Sequence, residues 1–239
     1  MTRSFAIVLA LSAVSLAPRA ADAGACARPE IPPAPLTPDG AKLAKGGGVV
    51  MQMEDSAKAP RWTFAGTTTA TTKATTKIRV IGPGLAVYEP PAAGAWTLQD
   101  DKGTPSIKVE SGADAKAPPA PALKAVKYAS STNRRGQSTN VTVEINGQPP
   151  ASAVALLAYD DKGAVMSWGK VWAGDPASKV SQFAIYYSGS CTVLPNGTRA
   201  INPSDKIKLA WLDASGQVSP MVAATVVDAT PKNQKIAPY

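Results

Sequence analysis

Residues 139–147 read TNVTVEING. Val141, Val143 and Ile145 alternate with Thr142, Glu144 and Asn146. A period of two puts the apolar side chains on one face of an extended strand and the polar ones on the other. The run stops at Asn146-Gly147, where glycine supplies the positive φ of a tight turn. A strand buried on one face needs partners, and the flanking sequence supplies them. Upstream, LKAVKYA (123–129) predicts a first strand. Downstream, SAVALLAYDDKG and AVMSWGKVW predict a hairpin about Asp160–Gly163. VSQFAIYYS predicts a strand with Phe183, Ile185 and Tyr187 on one face. DKIKLAWLDASG places Ile207, Leu209 and Trp211 inward and Lys206 and Lys208 outward, and QVSPMVAATVV closes the set. Seven strands, with turns every 8–12 residues or so, predict a β-sandwich over 122–230.

The preceding residues carry the same signals in shorter pieces. VVMQM (49–53), RWTFA (61–65), KIRVI (77–81), LAVYE (85–89), AWTLQ (95–99) and SIKVE (106–110) are apolar runs separated by turns such as IGPG and DDKG. They predict a small β domain over 49–110. SGADAKAPPAPALK has no periodicity and predicts a linker over 111–121. The proline-rich ARPEIPPAPLTPDG and the GGG after it predict an arm or edge segment over 24–48, because proline lacks a backbone donor. Residues 231–239 read as a tail. TLQDDKG, AYDDKG and WLDASG each end a strand, an echo best explained by shared turn chemistry. GTTTATTKATTK (66–77) predicts an exposed hairpin or loop between two strands, since threonine tolerates extended backbone without adding a large apolar surface.

The N-terminus sets the compartment. Arg3, an apolar stretch from Phe5 to Ala17 and the small residues of Ala21-Asp22-Ala23 predict a secretory signal peptide over 1–23, cut before Gly24. No other apolar run approaches the length of a membrane span, so the mature chain is expected to carry no transmembrane segment. It is exported, periplasmic or extracellular. The whole sequence has net charge +8, and removing the signal leaves +7. Outside the cytoplasm such a field meets anionic envelope polymers rather than nucleic acid. Two cysteines, Cys26 and Cys191, are expected to pair as one disulfide in an oxidising compartment. Closing so long a loop is worth about 4–5 kcal/mol in the chain-entropy account.

PSDKIKLAWLDASGQVS (203–219) resembles the last hairpin of bacterial fibronectin-III and immunoglobulin-like modules, in which a strand with a buried aromatic meets an Asp-x-x-Gly turn and a final strand. The resemblance covers the C-terminal half. It implies that the second sandwich is immunoglobulin-like, although the Cys…Trp…Cys pattern of true immunoglobulin domains is absent. The expected fold is therefore all-β: two β-sandwich-like domains in tandem, the second immunoglobulin-like, behind a cleaved signal peptide.

The sequence contains no histidine. This excludes Ser-His-Asp and Cys-His catalysis and histidine-ligated zinc or copper. Two cysteines are too few for a Cys₄ site. No cofactor, metal or catalytic residue is assigned. SWGK (167–170) has Ser-x-x-Lys spacing, but on a strand those two side chains point to opposite faces. Asp100/Asp101 and Asp160/Asp161 leave a carboxylate-dependent hydrolase as an alternative, although each pair precedes Lys-Gly and reads first as a hairpin turn. The aromatic signal is stronger. Met166, Trp168 and Trp172 are expected on one strand face with Lys170 between the tryptophans; this face reads first as core or interdomain packing, and alternatively as a surface able to stack on sugar rings and meet an anionic group. Arg134 and Arg135 sit in a polar loop that reads as a solvated loop or as an anion contact. The function expected is a non-enzymatic binding or structural module at the bacterial cell envelope, with an envelope polysaccharide or a protein as partner. A carbohydrate-binding module built on the Trp face is the alternative.

Overall fold

In the computed structural model, which describes residues 30–66, 76–133, 136–171, 181–189 and 192–232, the alternation of 139–145 has its expected result. Val141 and Val143 are fully buried and Ile145 is nearly so. The signal peptide, both cysteines, Arg134, Arg135, Trp172, residues 67–75 of the threonine stretch and most of the tail lie outside the described residues.

The first half contains β1 (Ala34–Pro35), β2 (Ala41–Ala44), β3 (Val49–Gln52), β4 (Thr63–Gly66), β5 (Lys77–Gly82), β6 (Leu85–Glu89), β7 (Gly94–Gln99) and β8 (Pro105–Ala113). They form two sheets, β1-β3-β6-β5 and β2-β8-β7-β4. Apart from β2, which lies parallel beside β8, this is the four-plus-three strand order of an immunoglobulin constant-type sandwich. The proline-rich segment thus supplies two edge strands, where missing backbone donors do least harm. Strand β8 runs to Ala113, three residues into the stretch that composition suggests is linker. Strands β4 and β5 belong to different sheets, so of the two readings of the threonine stretch, hairpin or loop, the hairpin between these strands is not formed.

The second half contains β9 (Leu123–Asn133), β10 (Gly136–Ile145), β11 (Ala153–Tyr159), β12 (Val165–Lys170), β13 (Gln182–Ser188), β14 (Lys206–Asp213), β15 (Val222–Thr225) and β16 (Val227–Asp228). Its sheets are β13-β10-β9-β16 and β12-β11-β14-β15. This is an immunoglobulin-like Greek key whose fourth strand, β12, sits on the opposite sheet from β13.

Three apolar clusters show how the sheets stack. Leu43, Met51, Phe64, Tyr88 and Leu98 fill the first sandwich. Val143, Leu156, Phe183, Leu209 and Trp211 fill the second, with Phe183 edge-on to Trp211 at 5.6 Å. A third cluster joins Val50, Leu85 and Val87 of the first sandwich to Ala155, Leu157, Ala210 and Leu212 of the second. The inner sheets therefore pack face to face, and the molecule is four layers deep. This is why all seven residues of β11, AVALLAY, are buried: Leu156 and Ala158 face one core while Ala155 and Leu157 face the next. The alanines let the two sheets approach closely.

Polar bonds fasten this interface. The β14–β15 turn docks on the first sandwich: the Ala44 amide donates to Ser215 Oγ at 2.9 Å, the Gly48 amide to the Ser215 carbonyl at 2.9 Å and Arg79 to the Gly216 carbonyl at 3.1 Å. Elsewhere the Asn196 amide donates to the Glu54 carbonyl at 2.7 Å.

The three echoing segments adopt one turn. Asp100, Asp160 and Asp213 each accept two or more backbone bonds from the residues after them, and Gly103, Gly163 and Gly216 take φ of 81°, 82° and 77°. This is a type I turn closed by a left-handed glycine. The β7–β8 and β14–β15 copies hold the same place in the two Greek keys.

Candidate functional site

Strands β12 and β13 are edges of opposite sheets, and the second sandwich brings them side by side. Ser167 Oγ donates to the Ile185 carbonyl at 2.5 Å. Gly169 allows the approach: a Cβ there would lie 2.2 Å from the Ala184 carbonyl oxygen.

Both strands carry bulges that reset their phase. Tyr159 pairs with Val165 and Ala158 with Ser167, so Met166 is the extra residue of β12. Met166 consequently enters the core of the second sandwich, whereas Val165 and Trp168 turn to the inter-sandwich cluster. The expectation of one shared face for Met166 and Trp168 is thereby corrected. In β13, Val141 pairs with Tyr186 and Thr142 with Ala184, leaving Ile185 as the extra residue. Phe183 and Ile185 are buried as expected. Past the bulge, Tyr186 packs toward the core and Tyr187 turns outward, 50% exposed, where plain alternation predicts it inward.

The result is an open groove of about 270 Å³ at the junction of the two sandwiches. Trp168, Lys170, Tyr186 and Tyr187 of β12 and β13 line it together with Thr192, Leu194, Pro195 and Thr198, and Ile31 and Gln52 contribute from the first half of the chain. The segment 192–199 is held in place at two points. Arg199 donates from its backbone to the Met166 carbonyl at 2.9 Å and from its guanidinium to Asp160 at 2.7 Å. Pro195 rests against Gly84, where a Cβ would lie 2.5 Å from its ring.

Of the residues expected to bind, Trp168 and Lys170 share this groove. Trp172, Arg134 and Arg135 lie outside the described residues, the arginines between the ends of β9 and β10. Trp168 is half-buried, and its indole Nε1 donates to the Pro83 carbonyl at 2.7 Å. The most exposed aromatic residue lining the groove is instead Tyr187, a residue that strand alternation alone assigns to the core.

The carboxylates behave as turn and bridge groups. Asp160 accepts from the Ala164 amide on Oδ1 and from Arg199 on Oδ2, and the Arg199 contact first, then the amide, hold its pKa below the ordinary aspartate value. The Thr104 amide does the same for Asp100. A general acid needs the opposite shift. Asp213 is shifted up by burial, but its Oδ1 is occupied by the Ser215 and Gln217 amides. Among the described residues no group of three or more metal-binding side chains converges, and no helix is long and apolar enough to cross a membrane.

No protein-family model matches the chain, and no curated protein matches it. Among solved structures it is similar to the BSP domain of a biofilm associated protein, at 14% identity over 82% of this chain and 29% of that one, with a TM-score of 0.28. The fibronectin(III)-like modules of Clostridium thermocellum CbhA are 13% identical over 87% of this chain and 100% of theirs, also at 0.28. SGBP-B of the Bacteroides ovatus mixed-linkage glucan utilization locus, solved with a mixed-linkage heptasaccharide, is 10% identical over 79% of this chain and 43% of its own, at 0.21. The chain thus spans less than a third of the first of these and less than half of the last. With TM-scores this low, the fold rests on the strand order described above.

Proposed function

We propose that this chain is an exported, non-enzymatic binding module of the bacterial cell envelope, and that its ligand seat is the groove between β12, β13 and the first sandwich. One observation carries the reading. Two bulges and a glycine contact bring Trp168, Lys170, Tyr186 and Tyr187 to one open cleft at the seam of two firmly docked sandwiches. Ligand sites favour such seams, where rigid elements hold polar and aromatic groups in place. The sequence supports export, through the signal pattern of residues 1–23, to the periplasm or beyond.

The test is co-sedimentation of the mature protein, beginning at Gly24, with peptidoglycan, lipopolysaccharide and a neutral polysaccharide at low and high salt. Binding that survives high salt and falls in a Tyr187→Ala/Lys170→Ala variant is the expected result. Binding that disappears with salt assigns the interaction to the +7 field, and binding that the double substitution leaves intact assigns it to another surface; either result overturns the groove as the site.

A further inference from the structure

We infer that the groove takes an uncharged, glucose-type sugar unit of a polysaccharide, stacked on Tyr187 and hydrogen-bonded by Gln52, Thr192 and Thr198; this rests on the groove being the ligand seat. The uncommitted polar groups are the first argument. Among the described residues, the side chains of Gln52, Thr192 and Thr198 line the groove and take part in no hydrogen bond. An amide and two hydroxyls both donate and accept, as sugar hydroxyls do. Lys170 also lines the groove but already has a partner within the chain, so it is assigned no part in the contact. A charged ligand would lose its water here without meeting an uncommitted countercharge, and a neutral sugar avoids that cost.

Geometry is the second. The Tyr187 hydroxyl and Thr192 Oγ1 would lie 3.3 and 3.4 Å from a Cβ at Gly189. The bare glycine thus lets the exposed Tyr187 ring and a threonine hydroxyl converge on one place. An aromatic face suits the apolar side of a pyranose, which is broadest when every ring hydroxyl is equatorial, as in glucose. The volume, about 270 Å³, lies just below the usual range of small-molecule pockets, roughly 300–1,000 Å³. One sugar unit of a chain suits it, with the chain leaving through the open side.

The groove is poorly made for a peptide. Strand addition needs an open backbone edge, but β12 and β13 close on each other: the Ile185 carbonyl accepts from Ser167 Oγ, and Gly169 abuts the Ala184 carbonyl. A proline-rich segment lacks backbone donors and offers carbonyls to an aromatic groove. The indole donor that would meet them, Trp168 Nε1, is already bonded to Pro83.

The experiment titrates the full mature chain with cellohexaose in a calorimeter, at low and high salt. The variants are Tyr187→Ala, Thr198→Val and Thr97→Val. Tyr187→Ala is expected to weaken binding by about tenfold or more. Thr198→Val, which keeps the shape and removes the hydroxyl, is expected to weaken it by about fivefold. Thr97→Val makes the same change on β7, in the sheet of the first sandwich that does not meet the second, and leaves binding unchanged. High salt also leaves it unchanged, because the ligand carries no charge. Cellohexaose binding that Tyr187→Ala and Thr198→Val both leave intact overturns the inference by placing the sugar elsewhere. No binding of cellohexaose overturns it outright; the groove itself remains the ligand seat if co-sedimentation with an envelope polymer still falls in Tyr187→Ala/Lys170→Ala. Binding of poly-L-proline in place of cellohexaose, lost in Tyr187→Ala, assigns the groove to a peptide and overturns the sugar. Unfolding midpoints identical to the parent's show that lost binding is not lost folding.

Discussion

Trp168 Nε1 and the Pro83 carbonyl oxygen lie 2.7 Å apart across the seam between the two sandwiches. The bond joins β12 of the second sandwich to the β5–β6 turn of the first. It gives a half-buried indole a structural task beside the groove and leaves Tyr187 as the aromatic available to a ligand. Trp168→Phe keeps most of the apolar contact and removes the donor, stranding the carbonyl of a buried proline. We expect a loss of about 1–3 kcal/mol by urea denaturation, and a larger loss for Trp168→Ala.

The shared apolar cluster predicts that the sandwiches unfold together. Leu157 is fully buried within it. Leu157→Ala is expected to cost about 2–5 kcal/mol. Unfolding of the parent protein followed by tryptophan fluorescence and by far-ultraviolet circular dichroism should give one coincident transition. Two separated transitions would show that the interface does not couple the halves.

Gly169 and Gly103 provide a matched pair. A Cβ at Gly169 meets backbone, the Ala184 carbonyl oxygen, which has no flexible side chain to yield. At Gly103 a Cβ meets nothing within 4 Å, and only its φ of 81° opposes it. Gly103→Ala is expected to cost about 1–2 kcal/mol of backbone strain. Gly169→Ala should cost about 1–3 kcal/mol and in addition pry β12 from β13. Binding assays on the two variants separate these effects, because only Gly169→Ala should impair the groove.

The carboxylates predict the acid response. Asp160, Glu144, Asp100, Asp55 and Asp228 have pKa values held below their ordinary range, chiefly by Arg199, by Lys127, by the Thr104 amide, by the Asn196 amide group and by Thr230 respectively. A lowered folded-state pKa gives stability that is present above the unfolded value and is lost as pH falls through the folded one. Asp213, raised by burial, works the other way: its contribution is present at low pH and is lost as pH rises through its folded value. Five groups oppose one, so the melting temperature should fall as pH drops from about 5 to about 3. Glu144→Gln should flatten that fall, because Glu144 is 8% exposed and bonded to Lys127 at 2.7 Å and Gln182 at 3.0 Å.

Cys26 and Cys191 lie outside the described residues, and the sequence alone carries the expectation that they pair in an oxidising compartment. Peptide mapping without reductant is expected to recover one Cys26–Cys191 peptide from the exported protein, and two free thiols would overturn the pairing.

Much of the fold was legible because its signals are local. The period of two marked the strands, and Asp-x-x-Gly marked three hairpins through bonds that each aspartate makes within four residues of itself. Phe183, Ile185, Ile207, Leu209 and Trp211 are buried as their alternation requires. The continuous apolar run AVALLAY is what a strand covered on both faces requires, but its continuity did not say which sheet would cover the second face. The groove carried no such signal. Strict alternation assigns Tyr187 to the core and puts Met166 beside Trp168, and a bulge reverses each assignment.

By itself, then, the sequence determined that the chain is all-β, where most of its strands and its three Asp-x-x-Gly turns lie, and which side chains face inward along unbroken stretches, since backbone geometry and nearest neighbours set these. Tertiary structure alone decided which sheet each strand joins, that the sandwiches pack through their inner sheets, and that Trp168, Lys170 and Tyr187 share one cleft. Those outcomes depend on where β12 and β13 slip register. That is settled by contacts between distant residues, Ser167 with Ile185, Arg199 with Met166 and Trp168 with Pro83, and no local period encodes them.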